Sequence, residues 1–308
     1  MSEDRSRYVA ASVRARLLNL ARAHNEDYNL TLQRYANERY LYGLSQSPHR
    51  ERFVLKGGML LPVLGASIYR PTRDIDLLGS GNTTIEHMRA VFTEVTLMTV
   101  ESDGLSVSVA GLTVEPIRAL DAYGGVQVTV PAKIGTAVTP IRVDVGVGDA
   151  ITPGSMEASY PTLLDMPAPV LLMYPVETVI AEKFEAIVRF GLINSRIKDY
   201  FDLWSIAEAH RLSGQELAAA LAATFTRRGT ALPVAPPAGL TATFTEAPAR
   251  AVQWRAFTTR TLTTKRMVPT FGAVGLALTS FLMPPAAAAA SGEPFEQTWT
   301  AAGGWRPA

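Results

Sequence analysis

The chain contains no cysteine. That absence excludes disulfides, iron–sulfur clusters and cysteine-ligated zinc. Histidine is scarce too. His24, His49, His87 and His210 stand singly, with no metal-ligand spacing among them. Any resident metal must therefore be held by oxygen, which selects Mg2+ or Mn2+. Long apolar runs are also missing. The most apolar late stretch, Met267 to Met283, is broken by Pro269, Thr270 and Thr279. It falls short of the ~20 residues a membrane span requires, so it reads as a buried helix or core segment, and no membrane is expected as a partner. The opening MSEDRSRY has no apolar secretory core, which makes the cytoplasm the expected location. Neither sign of charge dominates. The formal net charge of +1 neither demands nor excludes nucleic acid, because a local basic groove can sit within a neutral total. Lysine is sparse: Lys56, Lys133, Lys183, Lys198 and Lys265 are the only five among 29 basic residues.

With 308 residues, 47% of them hydrophobic and 19% charged, the chain has the makings of a folded protein with a sizeable core rather than a disordered one. Residues 5–23 carry apolar residues at helical spacing, interleaved with arginines. Asn29 to Ser45 reads as a second helix capped by Asn29, with Arg34 and Arg39 on a solvated face or, more sharply, on a surface for a polyanion. Phe53-Val54-Leu55 is a short strand leading into Lys56-Gly57-Gly58. Met59 to Leu64 then reads as a short helix ending at Gly65. Asp74 to Leu78 has the look of a strand stopped by Gly79, and Thr84 to Met98 of a helix with Ile85, Met88, Val91 and Phe92 on one face. From Leu105 to Val145, segments such as LSVSVA, VQVTV and IRVDV alternate or run apolar, as strands do. Ala150 to Tyr174 is a proline-dotted connection. Helices follow at Val176 to Phe190, Ile197 to His210 and Ser213 to Thr224, and 232–249 reads as an irregular wrapping segment. The expected fold class is α/β (α+β): a mixed sheet in residues 1–165, preceded by helices, and a helical domain in 166–308.

The chemistry concentrates in Asp74-Ile75-Asp76. In a strand, residues i and i+2 project to one face. Two carboxylates side by side repel each other unless a cation neutralises them, and a divalent ion is the usual solution. Upstream, Gly57 and Gly58 lack Cβ atoms and let backbone N–H groups approach phosphate oxygens. A glycine turn, a short helix and a strand bearing Asp-x-Asp resemble the opening of the DNA-polymerase-beta-like nucleotidyltransferase fold. Such sites add a third carboxylate, for which Asp144 in an apolar strand is the candidate and Asp149 the alternative. On the helix from Glu177, Lys183 interrupts an apolar stripe of Val179, Ala186 and Phe190. It is either salt-bridged or a cation for triphosphate. On the next helix, Asp202 is spaced to pair with Lys198, and Asp199 to orient Lys183 or the attacking group.

The set KGGM, RPTRDIDLL, IRVDVGVGD, ETVIAEKFEAIV and RIKDYFDLW, in that order, resembles the AbiEii/AbiGii-type nucleotidyltransferase toxins, including MenT-like members of type IV toxin–antitoxin systems. The resemblance runs over roughly residues 35–260. It implies a toxin that uses nucleoside triphosphates with Mg2+ or Mn2+. The acceptor it implies is the tRNA 3′ end, whose modification blocks translation. It also implies a cognate antitoxin encoded nearby that forms no tight complex. Carried over by residue, the metal acids match Asp74 and Asp76; Asp144, or Asp149, stays the candidate third acid from the strand reading above. The helix lysine matches Lys183, and the later acid matches Asp199, with Asp202 beside it. The nucleotide-binding positions match Lys56, Gly57, Gly58 and Thr72. One position departs from the wider superfamily: Gly58 stands where its loop commonly has serine, which removes a hydroxyl contact to phosphate. Two other readings stay open. One is transfer to a protein hydroxyl or a small molecule such as an aminoglycoside; the other is nucleotide binding without turnover.

Overall fold

The computed structural model describes residues 3–65, 70, 72–98, 103–117, 124–261, 268–301 and 303–308. Residues 118–123, within the expected run of strands, and Met267, at the head of the expected apolar segment, lie outside them. The chain forms two compact units. The first comprises Met1–Val63, Pro71–Gly148 and Met156–Met173, and the second Leu64–Arg70, Asp149–Ser155 and Tyr174–Ala308.

In the first unit the elements run α1 (Glu3–His24), α2 (Tyr28–Gln46), β1 (Phe53–Lys56), β2 (Ile75–Gly79), α3 (Ile85–Leu97), β3 (Leu105–Val107), β4 (Thr113–Pro116), β5 (Gly125–Val130), β6 (Ala132–Ile134), β7 (Ala137–Val138), β8 (Ile141–Val147), β9 (Met156–Ser159) and β10 (Val170–Met173). Seven strands form one mixed sheet in the order β4-β5-β8-β2-β1-β10-β9, in which β2–β8 and β1–β10 are parallel pairs. Strands β3, β6 and β7 form a small separate sheet. The period of two sorts the sheet's faces. Ile75 and Leu77 of β2, Val126, Val128 and Val130 of β5, and Ile141, Val143 and Val145 of β8 are buried. Each such side chain contributes roughly 1.5–3 kcal/mol of burial. The alternate positions are left for polar groups.

Several expectations change. Asp27, not Asn29, caps α2: its carboxylate accepts from the Leu30 N–H at 3.0 Å. Arg39 is not on a solvated face; it is fully buried, its guanidinium held by Asp103 and the Pro167 carbonyl. Arg34 pairs with Glu26 at 2.8 Å. No helix spans Met59 to Leu64. The chain makes a 3-10 turn at Gly57–Leu60 and continues in turns, so no long helix dipole points at the glycines. The Ala150–Tyr174 connection holds two strands, β9 and β10, and β10 lies beside β1 in the central sheet.

The second unit runs α4 (Val176–Phe190), α5 (Ile197–Ala209), β11 (Leu212–Ser213), α6 (Gly214–Arg228), α7 (Ala242–Thr245), α8 (Pro248–Thr261), α9 (Phe271–Ser291), β12 (Gln297–Thr300) and β13 (Gly304–Pro307). Its short strands pair in the order β11-β12-β13. Helix α9 is longer than expected, 21 residues, and continues through Pro284 and Pro285 into the alanine run. Among the described residues it is the one helix long and apolar enough to cross a membrane by length and composition. It nevertheless buries a regular stripe of Phe271, Val274, Leu278, Phe281, Leu282, Pro285 and Ala286. That stripe has the 3–4 spacing of a core-facing helix, and α9 packs on α5 and α6.

Candidate functional site

In the first unit the sheet's register assembles a polar row. Lys56 of β1 stands opposite Asp76 of β2, Asp76 opposite Asp144 of β8, and Asp144 opposite Gln127 of β5. Cross-strand partners share a face, so four side chains from four adjacent strands line up on one side of the sheet. Asp76 and Asp144 are each partly exposed. The Gln127 amide donates to Asp144 Oδ1 at 2.8 Å. Arg142, two residues before Asp144 on β8, shares its face and is exposed. Asp74 lies one residue before β2, also partly exposed, with Thr72 two residues further upstream.

The glycine turn is built against the acid. Gly57 has φ +72°, and a Cβ there would overlap the Asp76 carboxylate, so only glycine fits both its backbone and its surroundings. Gly58 follows, buried in the 3-10 turn. At the other side of Asp76, Gly146 leaves space for Lys56. The Lys56 Nζ sits 3.6 Å from where a Gly146 Cβ would stand. The lysine therefore leans from β1 past β2 toward β8.

The second unit gathers another set. The Lys183 Nζ donates to Asp199 Oδ1 at 3.0 Å and to Asp202 Oδ2 at 2.7 Å. Arg70 grips Asp202 through Nε and Nη2, both at 2.9 Å, in a bidentate fork. Arg196, three residues ahead on the same chain turn, holds the second oxygen of Asp199. Lys183, Asp199, Asp202 and Arg70 are all buried. Burial alone would strip the charge from Lys183, but Asp199 and Asp202 outweigh it and hold its pKa above the ordinary lysine value. Burial likewise works against ionised Asp199, and Lys183 and Arg196 overcome it, so its pKa falls below the usual carboxylate range. Lys183 is thus a fixed cation and Asp199 a fixed anion through neutral pH. The expected Lys198–Asp202 pairing gives way to Arg70 and Lys183, which take both Asp202 oxygens. Lys198 itself has its pKa lowered by burial and by the nearby Arg70. Asp149, the alternative third acid, lies in this unit, 3.1 Å from an Arg228 guanidinium nitrogen.

The structure therefore brings together Lys56, Gly57, Asp76 and Asp144 in one unit, and Lys183, Asp199 and Asp202 in the other. Three contributors escaped the sequence reading. Gln127 was legible only as the lone amide in a valine strand. Arg70 and Arg196 open the segments RPTRDIDLL and RIKDYFDLW but carried no assigned role, and Arg70 finds its partner 132 positions away.

The donor set suits a hard cation. Among the described residues no three His, Asp or Glu side chains are gathered as a metal cluster. Magnesium does not need one, since it is commonly held by one or two carboxylates with substrate phosphates completing the shell. Asp74 and Asp76, partly exposed on one turn-and-strand segment, fit that mode.

A mixed sheet carrying acids beside a glycine turn, with a helical second unit, defines a nucleotidyltransferase-type fold. MenT4, a nucleotidyltransferase toxin from Mycobacterium tuberculosis H37Rv, shares it: the match has a TM-score of 0.54 and 19% identity, and covers 89% of each chain. Two Helicobacter pylori structures align more loosely, each with a TM-score of 0.44. JHP933 is 14% identical over 82% of this chain and 88% of its own. A second nucleotidyltransferase structure is 15% identical over 82% and 91%. No curated protein matches the chain. The model of the nucleotidyl transferase AbiEii toxin family, type IV toxin–antitoxin system, matches residues 39–275, and the chain belongs to that family. It is accordingly a toxin of the nucleotidyltransferase type, and such toxins are paired with a cognate antitoxin.

Proposed function

We propose that the protein transfers a nucleotide from a nucleoside triphosphate to the 3′ end of tRNA, and so blocks translation. The observation that carries this reading is the register of Asp76 against Asp144 beside the Gly57 turn. Asp74 and Asp76 would hold a magnesium or manganese ion, which when bound supplies charge neutralisation for a triphosphate. Gly57, Gly58 and Thr72 would border the phosphates, and Lys56 would add a cation that leans over Gly146 toward the same row. Asp144 would stay oriented by Gln127.

Lys183 would offer its permanent charge to the triphosphate or to charge developing on it, rather than move a proton. Asp199 and Asp202 would fix its position. The site of action would be the cytoplasm. The antitoxin would counter the toxin without a tight complex.

The test is incubation of purified protein with each labelled triphosphate, total tRNA and Mg2+. Label in the tRNA band is the expected result. Label confined to protein or small-molecule fractions would move the acceptor, and no transfer from any triphosphate would overturn the reading.

A further inference from the structure

Helix α1 lies ahead of the family match, which begins at residue 39. It opens with Glu3 and Asp4, and from Arg5 to His24 it carries five arginines, Arg5, Arg7, Arg14, Arg16 and Arg22, and no further acid. A helix that is merely solvated mixes its signs, because like charges along one face repel. From Arg5 onward this one does not. Its apolar stripe of Ala10, Val13, Leu17 and Ala21 is buried within the first unit. Gly104 seats it closely, since a Cβ there would stand 3.0 Å from the Ala10 Cα. Arg14 is spent on the Thr136 hydroxyl at 2.8 Å. Arg5, Arg7, Arg16 and Arg22 are exposed, and Tyr8 among them is 82% exposed. The helix packs on β6, whose Lys133 is a further exposed cation. The acids at its C-terminal end are engaged: Glu26 with Arg34, and Asp27 in capping α2.

We infer that the outer face of α1 binds the phosphate backbone of a nucleic acid strand. Arginine forks match phosphate oxygens, and an exposed aromatic ring between them offers a stacking platform for a base. A lipid surface fits less well, because a membrane-bound helix must present an apolar face and that of α1 is already buried. The inference does not rest on the transfer reading, and its test reads binding alone.

Fluorescence anisotropy would be measured on the full chain with a labelled 20-nucleotide RNA and the same sequence as DNA, over a salt series. Wild type should bind both, with log K falling linearly against log salt. The triple variant R5Q/R16Q/R22Q, altered only at exposed positions, should bind more weakly. Its slope should be shallower by about 2, as loss of three phosphate contacts requires. R5K/R16K/R22K should keep the wild-type slope. An unchanged slope in the glutamine variant overturns the inference. So does wild-type binding to phosphatidylglycerol vesicles with none to either nucleic acid.

Discussion

The two charged sets of this molecule are built on opposite rules. In the second unit, Lys183, Arg70 and Arg196 face Asp199 and Asp202 with nearly every oxygen and nitrogen matched, and the core of the cluster is buried. In the first unit, Asp76 and Asp144 stand in register on adjacent strands, partly exposed, with Asp74 just ahead. A matched buried cluster is rigid, and it is costly to break because each partner left behind is a buried charge. Neighbouring carboxylates near the surface are the reverse. They stand beside Lys56 and Gln127 near solvent, and removing one costs the fold little while removing what a cation would bind.

Asp76→Asn probes the contrast most severely. Transfer should fall on the order of 10³-fold, while the melting temperature changes little, because a partly exposed pairing contributes at most about 1 kcal/mol. Activity assays beside calorimetry check it, and a variant that melts early would erase the distinction. Lys183→Met should do the converse in stability. It leaves Asp199 and Asp202 short of a buried partner and should cost about 3 kcal/mol. That corresponds to a melting temperature lower by roughly 6 °C or more. Gln127→Leu is milder. It takes the amide from Asp144 and should weaken metal affinity or turnover by about 10–100-fold, read by Mn2+ titration.

The smallest effect concerns pH. Burial raises the pKa of Glu38 to about 7, against the opposing pull of the Leu163 N–H and Arg39. Because the folded value lies above the unfolded one, the favourable contribution is complete only below the unfolded value of about 4.5. It is lost as pH rises toward 7. Glu38→Gln should flatten the decline in melting temperature between about pH 5 and 7.5. An equal decline in the variant would assign the pH dependence elsewhere.

What the sequence disclosed was local. Strand alternation placed Asp76 and Asp144 opposite to the core, and helical spacing marked Lys183 and Asp199. What it concealed depends on distant partners or on punctuation. Val170 to Met173 is an interior strand of the seven-stranded sheet, but the prolines around it read as a loop. Pro284 and Pro285 argue against a helix, yet α9 continues because its buried stripe packs through them. Arg39 looks like a surface arginine until Asp103 and Pro167 arrive from elsewhere in the fold.

Gly57 does no chemistry, yet it acts as a lock on the acid next to it. The volume a methyl group would claim is already occupied by the Asp76 carboxylate, and the backbone is turned where side chains are unwelcome. Gly57→Ala would therefore evict the carboxylate and silence the toxin with all its acidic residues still in the sequence.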